Sequence, residues 1–312
     1  MAKNLTTSHL FREFAQIKSC TDEQRKLIDR LVVAVSERIA NYCGRVFEAT
    51  TYFAWVNGTG TNFLNLPNFP LINVWEVSLT SQSAFTAKFT GGSRASVSVH
   101  GGSIHLQSIH ETTGVVTDTA IVLSSYKTVT LLIAQINTVS GWTATVYGSM
   151  GNQPAEAIKP LHAEWALDPN FAAIEVPDQV SSDDIAYNLE TDGVLELEIG
   201  WDYLNSRRSL TVWPSGTNNL FIHYKAGYTL PVDDVAGESL TSNGDVPEDL
   251  TLTANTIIKA VYESTAQRVG ALKSEKTKNY SYTMGDSAHA IIDKAIRDNR
   301  AGLLNHRSMK II

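Results

Sequence analysis

Between Val246 and Gly270 the apolar side recurs at steps of three and four: Leu250, Ala254, Ile257, Val261, Thr265 and Val269. That period puts them on one face of a helix, which Ile258 and Tyr262 widen. Pro247 suits the first turn, where a missing N–H costs no hydrogen bond. Glu248 and Asp249 follow at the positive end of the helix dipole, and Gly270 is a stop signal. A second helix is predicted from Thr21 to Gly44. Thr21 and Gln24 supply the two halves of a capping box. Ile28, Val32, Val35, Ile39 and Tyr42 then line one face, with Leu27 and Leu31 beside them. Upstream, Leu10, Phe11 and Phe14 fit either a short helix or an arm without fixed structure. Downstream, Ser287 caps a last helix whose Ile291, Ile292, Ala295 and Ile296 face inward.

Elsewhere the period shortens to two. Residues 50–56 alternate, with Tyr52, Ala54 and Val56 on one side and Phe53 and Trp55 on the other. A turn at Asn57-Gly58-Thr59-Gly60 returns through Phe63-Leu64-Asn65-Leu66, which predicts a β-hairpin. Pro67 and Pro70 bend the chain before a third strand at 72–79. From residue 80 onward charge thins, and Ser, Thr, Ala and Gly become common. Short strands are predicted at 85–89, 96–100, 104–109 and 121–124. Val129, Leu132, Ile133 and Ile136 give a helix that stops at Gly141, and a strand follows at 142–147. Pro154, Pro160, Pro169 and Pro177 predict an irregular return over 152–185. Strand patterns resume at 193–199, 220–224 and 279–284. The whole predicts a two-part, mixed α/β fold with a separate α+β insert in its middle. Its parts are an N-terminal arm (1–20), a discontinuous core (21–80 and 185–300), the insert (81–184) and a C-terminal tail (301–312).

Composition adds two constraints. The 312 residues are 43% hydrophobic and 18% charged, enough for a real core and more than one domain. The net charge of -7 is unevenly spread. Residues 151–250 carry four basic residues (Lys159, Arg207, Arg208 and Lys225) against eighteen Asp and Glu, whereas residues 251–312 have an excess of Lys and Arg. Two surfaces with different partners fit this pattern, and so does an acidic face that aids solubility. Cys20 and Cys43 have no framework spacing and read as free thiols of a reducing cytosol. No apolar run approaches the roughly 20 residues of a membrane span.

Candidate chemistry is sparse. The chain has no Walker loop, no GxGxxG after a strand, no HExxH and no GxSxG. His100, His105 and His110 are five apart, and on strands that spacing does not converge His105 and His110 on one metal ion. Asp183 and Asp184 are adjacent, so they point apart and lack an acid/base partner. Glu196 and Glu198 share one strand face, which fits solvent or a basic partner chain. Trp55, Trp75, Trp201 and Trp213 lie in or beside strands, where core packing is expected. No enzyme activity, cofactor or metal is expected.

The order of several short segments does resemble a known family. An opening helix ends in Ser36-Glu37-Arg38-Ile39-Ala40-Asn41-Tyr42-Cys43-Gly44-Arg45-Val46-Phe47. The Leu66-Pro67…Pro70-Leu71-Ile72 bend follows. Far downstream come Ile222-His223-Tyr224-Lys225-Ala226-Gly227-Tyr228, then Val246-Pro247-Glu248-Asp249-Leu250, Leu272-Lys273-Ser274-Glu275 and Tyr280-Ser281-Tyr282. Over residues 20–80 and 185–300 this resembles the head–tail connector, or adaptor, proteins of tailed bacteriophages. Residues 80–185 depart from it, because typical members run almost directly between those two parts.

The resemblance implies an α+β fold, a helical bundle with a small antiparallel sheet carrying an inserted small α+β domain, in a virion protein of the neck made in the host cytoplasm. It implies a homo-oligomeric ring, commonly of twelve copies, between the portal protein and the next neck or tail-completion protein. DNA would pass through the ring without sequence-specific binding, and an acidic channel wall would repel its phosphates. In this family the C-terminal segment reaches toward the portal. By position Leu304, Arg307, Met309, Lys310 and Ile311 would make that contact. Glu196 and Glu198 on one side, and Lys273, Lys276 and Lys278 on the other, are candidates for charge contacts between neighbouring copies. The alternative is a binding module whose insert, through Phe85, Phe89, Trp142 and Tyr147, recognises a glycan or another surface ligand.

Overall fold

The computed structural model describes residues 4–178, 187–189, 193–197, 212–234, 239–271 and 288–307, with the backbone alone over 265–271 and 288–291. Six α-helices are described: α1 (Ser8–Phe14), α2 (Asp22–Cys43), α3 (Val129–Ile136), α4 (Glu248–Ala271), α5 (Ala288–Asp298) and α6 (Arg300–Leu304). The strands are β1 (Thr50–Gly58), β2 (Phe63–Asn65), β3 (Leu71–Ser78), β4 (Ser81–Phe89), β5 (Gly92–His100), β6 (Ser103–His110), β7 (Val116–Val122), β8 (Trp142–Val146), β9 (Leu161–Trp165) and β10 (Ala172–Pro177). They continue with β11 (Tyr187–Leu189), β12 (Val194–Leu197), β13 (Gly216–Ala226), β14 (Val232–Asp233) and β15 (Leu240–Ser242).

The expected helical bundle with a small sheet is therefore incorrect for the chain as a whole. The described strands form five sheets, in the orders β1-β13-β3, β10-β4-β8, β11-β12-β2, β14-β15 and β7-β6-β5-β9. The physical reason is long-range pairing, which local alternation cannot reveal. β13 joins both β1 and β3, while β2 pairs with β12, so the expected β1–β2 hairpin does not form. The Pro-containing return also holds two strands, β9 and β10, which complete sheets begun by β5 and β4.

Contacts divide the backbone into two compact units. One comprises Met1–Thr50, Pro67–Pro70 and Ala226–Ile312. It holds all the described helices except α3, around a core from α1, α2, α4, α5 and α6. The capping box of α2 is formed: Thr21 Oγ1 accepts from Gln24 N at 3.3 Å, and Thr21 N donates to Gln24 Oε1 at 2.9 Å. Gly44 ends α2 in the left-handed region, φ 68°, where a residue without Cβ is least strained. Leu250, Ala254, Ile257, Ile258 and Val261 of α4 are buried, as their spacing requires. The segment before α1 is bonded into this core. Leu5 N donates to Ser36 Oγ (3.0 Å), and Thr6 Oγ1 donates to Asn255 Oδ1 (2.8 Å). Arg38 NH2 donates to Asp293 Oδ2 (3.1 Å), and its Nε lies 3.0 Å from Oδ1, an ion pair that ties α2 to α5.

The second unit comprises Thr51–Leu66 and Leu71–Lys225. Its larger core draws only on residues 84–176, between the β10-β4-β8 and β7-β6-β5-β9 sheets and α3. β4 crosses its sheet's middle, with Phe85 opposite Ile174 on one side and Val146 on the other. Lys159 Nζ bonds both Ser81 Oγ and Glu175 Oε2 at 3.0 Å. That environment, led by the Ser81 hydroxyl, lowers the Glu175 pKa. No helix among the described residues is long and apolar enough to cross a membrane.

Phe85 is fully buried in this core. Phe85→Ala is expected to cost about 3–5 kcal/mol by leaving a cavity. Urea unfolding followed by fluorescence measures it; a loss under about 1 kcal/mol would mean that this core is not close-packed.

Candidate functional site

One polar side chain of the helical unit joins several of its segments: Arg45, immediately after the Gly44 cap. Only 6% of it is exposed. Its guanidinium carbon lies 3.8 Å from the centre of the Phe69 ring, 4.8 Å from Phe47 and 5.8 Å from Tyr228. It also donates to the Phe69 carbonyl oxygen. A planar cation meets three ring faces here, which a lysine ammonium would not match in shape.

Backbone bonds close the same node. Tyr228 N donates to Phe47 O (2.7 Å), Ala49 N to Tyr228 O (2.9 Å) and Gly227 N to Pro70 O (3.0 Å). Gly227 has φ +117°, and a Cβ there would lie 2.6 Å from Glu48 O. Only glycine fits that approach. Burial raises the Tyr228 pKa, against the nearby Arg45 charge. Burial also pushes the Cys43 thiol up to about 11, against the charges of Arg45 and Arg307. Cys43 is therefore a protonated core residue at neutral pH, not a reactive thiolate.

The node joins residues 44–49, 67–70 and 226–228. They include Gly44-Arg45-Val46-Phe47, the Pro67…Pro70 bend and Ala226-Gly227-Tyr228, three of the segments that carry the connector resemblance; Leu272-Lys273-Ser274-Glu275 and Tyr280-Ser281-Tyr282 lie outside the described residues. In the sequence Arg45 stands within a motif, with no role visible from its neighbours. The available signal was a basic residue directly after a helix stop, with aromatic residues in each of the other two segments.

The expected portal-contact residues are only partly within the described chain. Leu304, at the end of α6, is 45% exposed, while the preceding Leu303 is buried. His306 Nε2 lies 2.9 Å from Asp249 Oδ2, so the first turn of α4 holds the segment after α6. Arg307 is exposed, 5.8 Å from the Tyr42 ring. Met309, Lys310 and Ile311 lie outside the described residues, as do Glu198, Lys273, Lys276 and Lys278. Glu196 is half-buried on β12 and accepts from Asn62 Nδ2 at 3.3 Å. Of the candidate charge contacts between copies, Glu196 alone lies within the described residues.

Other candidates resolve into ordinary roles. Phe85, Phe89 and Trp142 are core residues, which leaves Tyr147 exposed among the four aromatics considered for ligand binding. The His100 and His105 rings stack 4.2 Å apart, and His105 Nδ1 lies 3.5 Å from Asp118 Oδ1. His110 instead accepts from the Thr112 and Thr113 amides and closes a turn. Among the described residues no three His, Cys, Asp or Glu side chains are grouped to hold a metal ion. Asp183 and Asp184 lie outside them.

Trp213 is fully buried and donates from Nε1 to Leu195 O at 3.3 Å, as core packing predicts, whereas Trp75 remains exposed. Trp75 and Phe53 flank the His223 ring, with centroids 4.8 and 4.3 Å away. Burial lowers the His223 pKa. The stack therefore favours a neutral imidazole.

No protein-family model matches the chain, and no curated protein is significantly similar to it.

Arg45→Lys is expected to lower stability by about 1–3 kcal/mol, because it removes ring stacking and a forked donor from a buried site. An unchanged urea midpoint would mean that the guanidinium does not hold the three segments together.

Proposed function

We propose that this chain is a structural subunit of a phage neck, a head–tail connector that assembles as a ring between the portal and the next neck or tail-completion protein. The observation that supports it is the Arg45 node. Three of the segments that carry the resemblance, at residues 44–49, 67–70 and 226–228, are distant in sequence and meet at one buried cation.

In this reading the helical unit is the assembly body. Its α2, α4 and α5 are tied by a buried apolar core and the Arg38–Asp293 ion pair, so it can carry load without a catalytic group. Copies in a ring meet head to tail, one face of a subunit against a different face of its neighbour. The acidic 151–250 stretch and the basic C-terminal part suit such a contact. DNA passes through without being read. The exposed Leu304 and Arg307, with residues 308–312 beyond them, are the portal-facing group. His306, bonded to Asp249, anchors that group to the helical unit. The unit built on residues 84–176 is an addition to this body, with its own core.

Co-expression with the portal protein of the same particle, followed by electron imaging, tests the reading. Rings seated coaxially on the portal are expected, and loss of 308–312 should weaken that docking while leaving the fold intact. Portal rings without bound copies, beside unassociated monomers, would refute it.

A further inference from the structure

The β7-β6-β5-β9 sheet ends on one side at β7, and among the described residues no strand pairs with its outer edge. Such an edge is a row of unpaired N–H and C=O groups that accepts another strand. Folded proteins usually guard it with lysine, proline or a bulge. β7 has none of these guards. Its sequence is Val116-Thr117-Asp118-Thr119-Ala120-Ile121-Val122, five of whose seven residues are β-branched, with Asp118 the single charge. It pairs with β6 in unbroken register from Val116 opposite Ile109 to Val122 opposite Ser103. Val115, Val116 and Val122 are 58%, 68% and 49% exposed. The opposite edge, β9, carries His162 and Glu164 in five residues.

We propose that β7 pairs antiparallel with β7 of a second copy of this chain, about a two-fold axis at Thr119. Register selects this occupant. Residues 117, 119 and 121 face the core side of the sheet, opposite Ser108, Leu106 and Ile104 of β6, while 116, 118, 120 and 122 face outward. A pairing that keeps the core sides of both sheets together must centre on a residue, because a half-step shift flips every side chain. Centred on Asp118, it sets two carboxylates opposite each other. Centred on Ala120, it leaves Val116 without a counterpart. Centred on Thr119, it matches the whole strand: Val116 meets Val122 at both ends, Asp118 meets Ala120, and Thr119 meets its own copy. The valines at the two ends of the strand then cover each other.

This pairing does not rest on the connector reading. A ring with rotational symmetry uses head-to-tail contacts, whereas the β7 pair has a two-fold axis, so it is a separate contact that joins copies in twos. One strand pair buries less than the about 1,000 Å² of a stable interface, so the dimer is weak and forms at high concentration.

Sedimentation of the full chain over a concentration series tests it. A step that doubles the mass is expected in the parent. Val116→Lys places an ammonium against Val122 of the other copy and should weaken that step about tenfold or more. Adding Val122→Glu to Val116→Lys sets Lys against Glu across the axis and should restore much of it. Circular dichroism should be unchanged in both, because both side chains are largely exposed. No doubling up to the solubility limit, or doubling that Val116→Lys leaves unaltered, would overturn the proposal. So would a double variant no better than the single one.

Discussion

One buried guanidinium holds three segments of the helical unit, distant in sequence, in one place. Arg45 leaves the end of α2, lies on the rings of Phe69, Phe47 and Tyr228, and donates to the Phe69 carbonyl. A buried charge is costly unless its surroundings replace water. Here aromatic faces and a backbone oxygen do so. The neighbouring constraints follow from that choice. Gly44 has to turn the chain at the end of α2. Gly227 must lack a Cβ so that its backbone can approach Glu48. The Phe47–Tyr228 and Pro70–Gly227 hydrogen bonds then join the same three segments within the helical unit.

That arrangement explains how a long stretch can lie between residues 70 and 226 without disturbing the helical core. The ends of the stretch are held at the node, and closing a longer loop costs little more than closing a short one. The residues between them build their own interior. Phe85, Val97, Leu106, Leu132, Trp142 and Ile174 are all buried in a core that takes nothing from the helices of the first unit. Two separate sets of apolar contacts thus hold the two units.

Much of the helical unit was legible in the sequence. The Thr21–Gln24 box and the period of Ile28, Val32, Val35 and Ile39 are local signals, and local physics realises them. So is the Leu250–Val261 face of α4. Several strands of the second unit were equally legible from alternation, among them those at Phe85, Val97 and Leu106. Their partners were not. Asn57-Gly58 signals a turn, yet which strands β1 and β2 join depends on β13 and β12, more than a hundred residues away. β9 and β10 lay hidden among prolines, because short edge segments acquire strand geometry from the sheet they complete. Arg45 was visible as a residue and not as a node, since nothing near it in sequence shows Phe69 or Tyr228 arriving. The tail reading reached Leu304 and Arg307; its remaining residues lie beyond the described chain.

A place in the neck of a tailed particle is what we propose for the chain. The most direct measurement is to decorate intact particles with an antibody raised against the unit that contains residues 84–176, and to image them. The account predicts label in a collar at the junction of head and tail, absent from particles that lack this chain. Label confined to the capsid surface or the tail tip, or no label on particles at all, would contradict it.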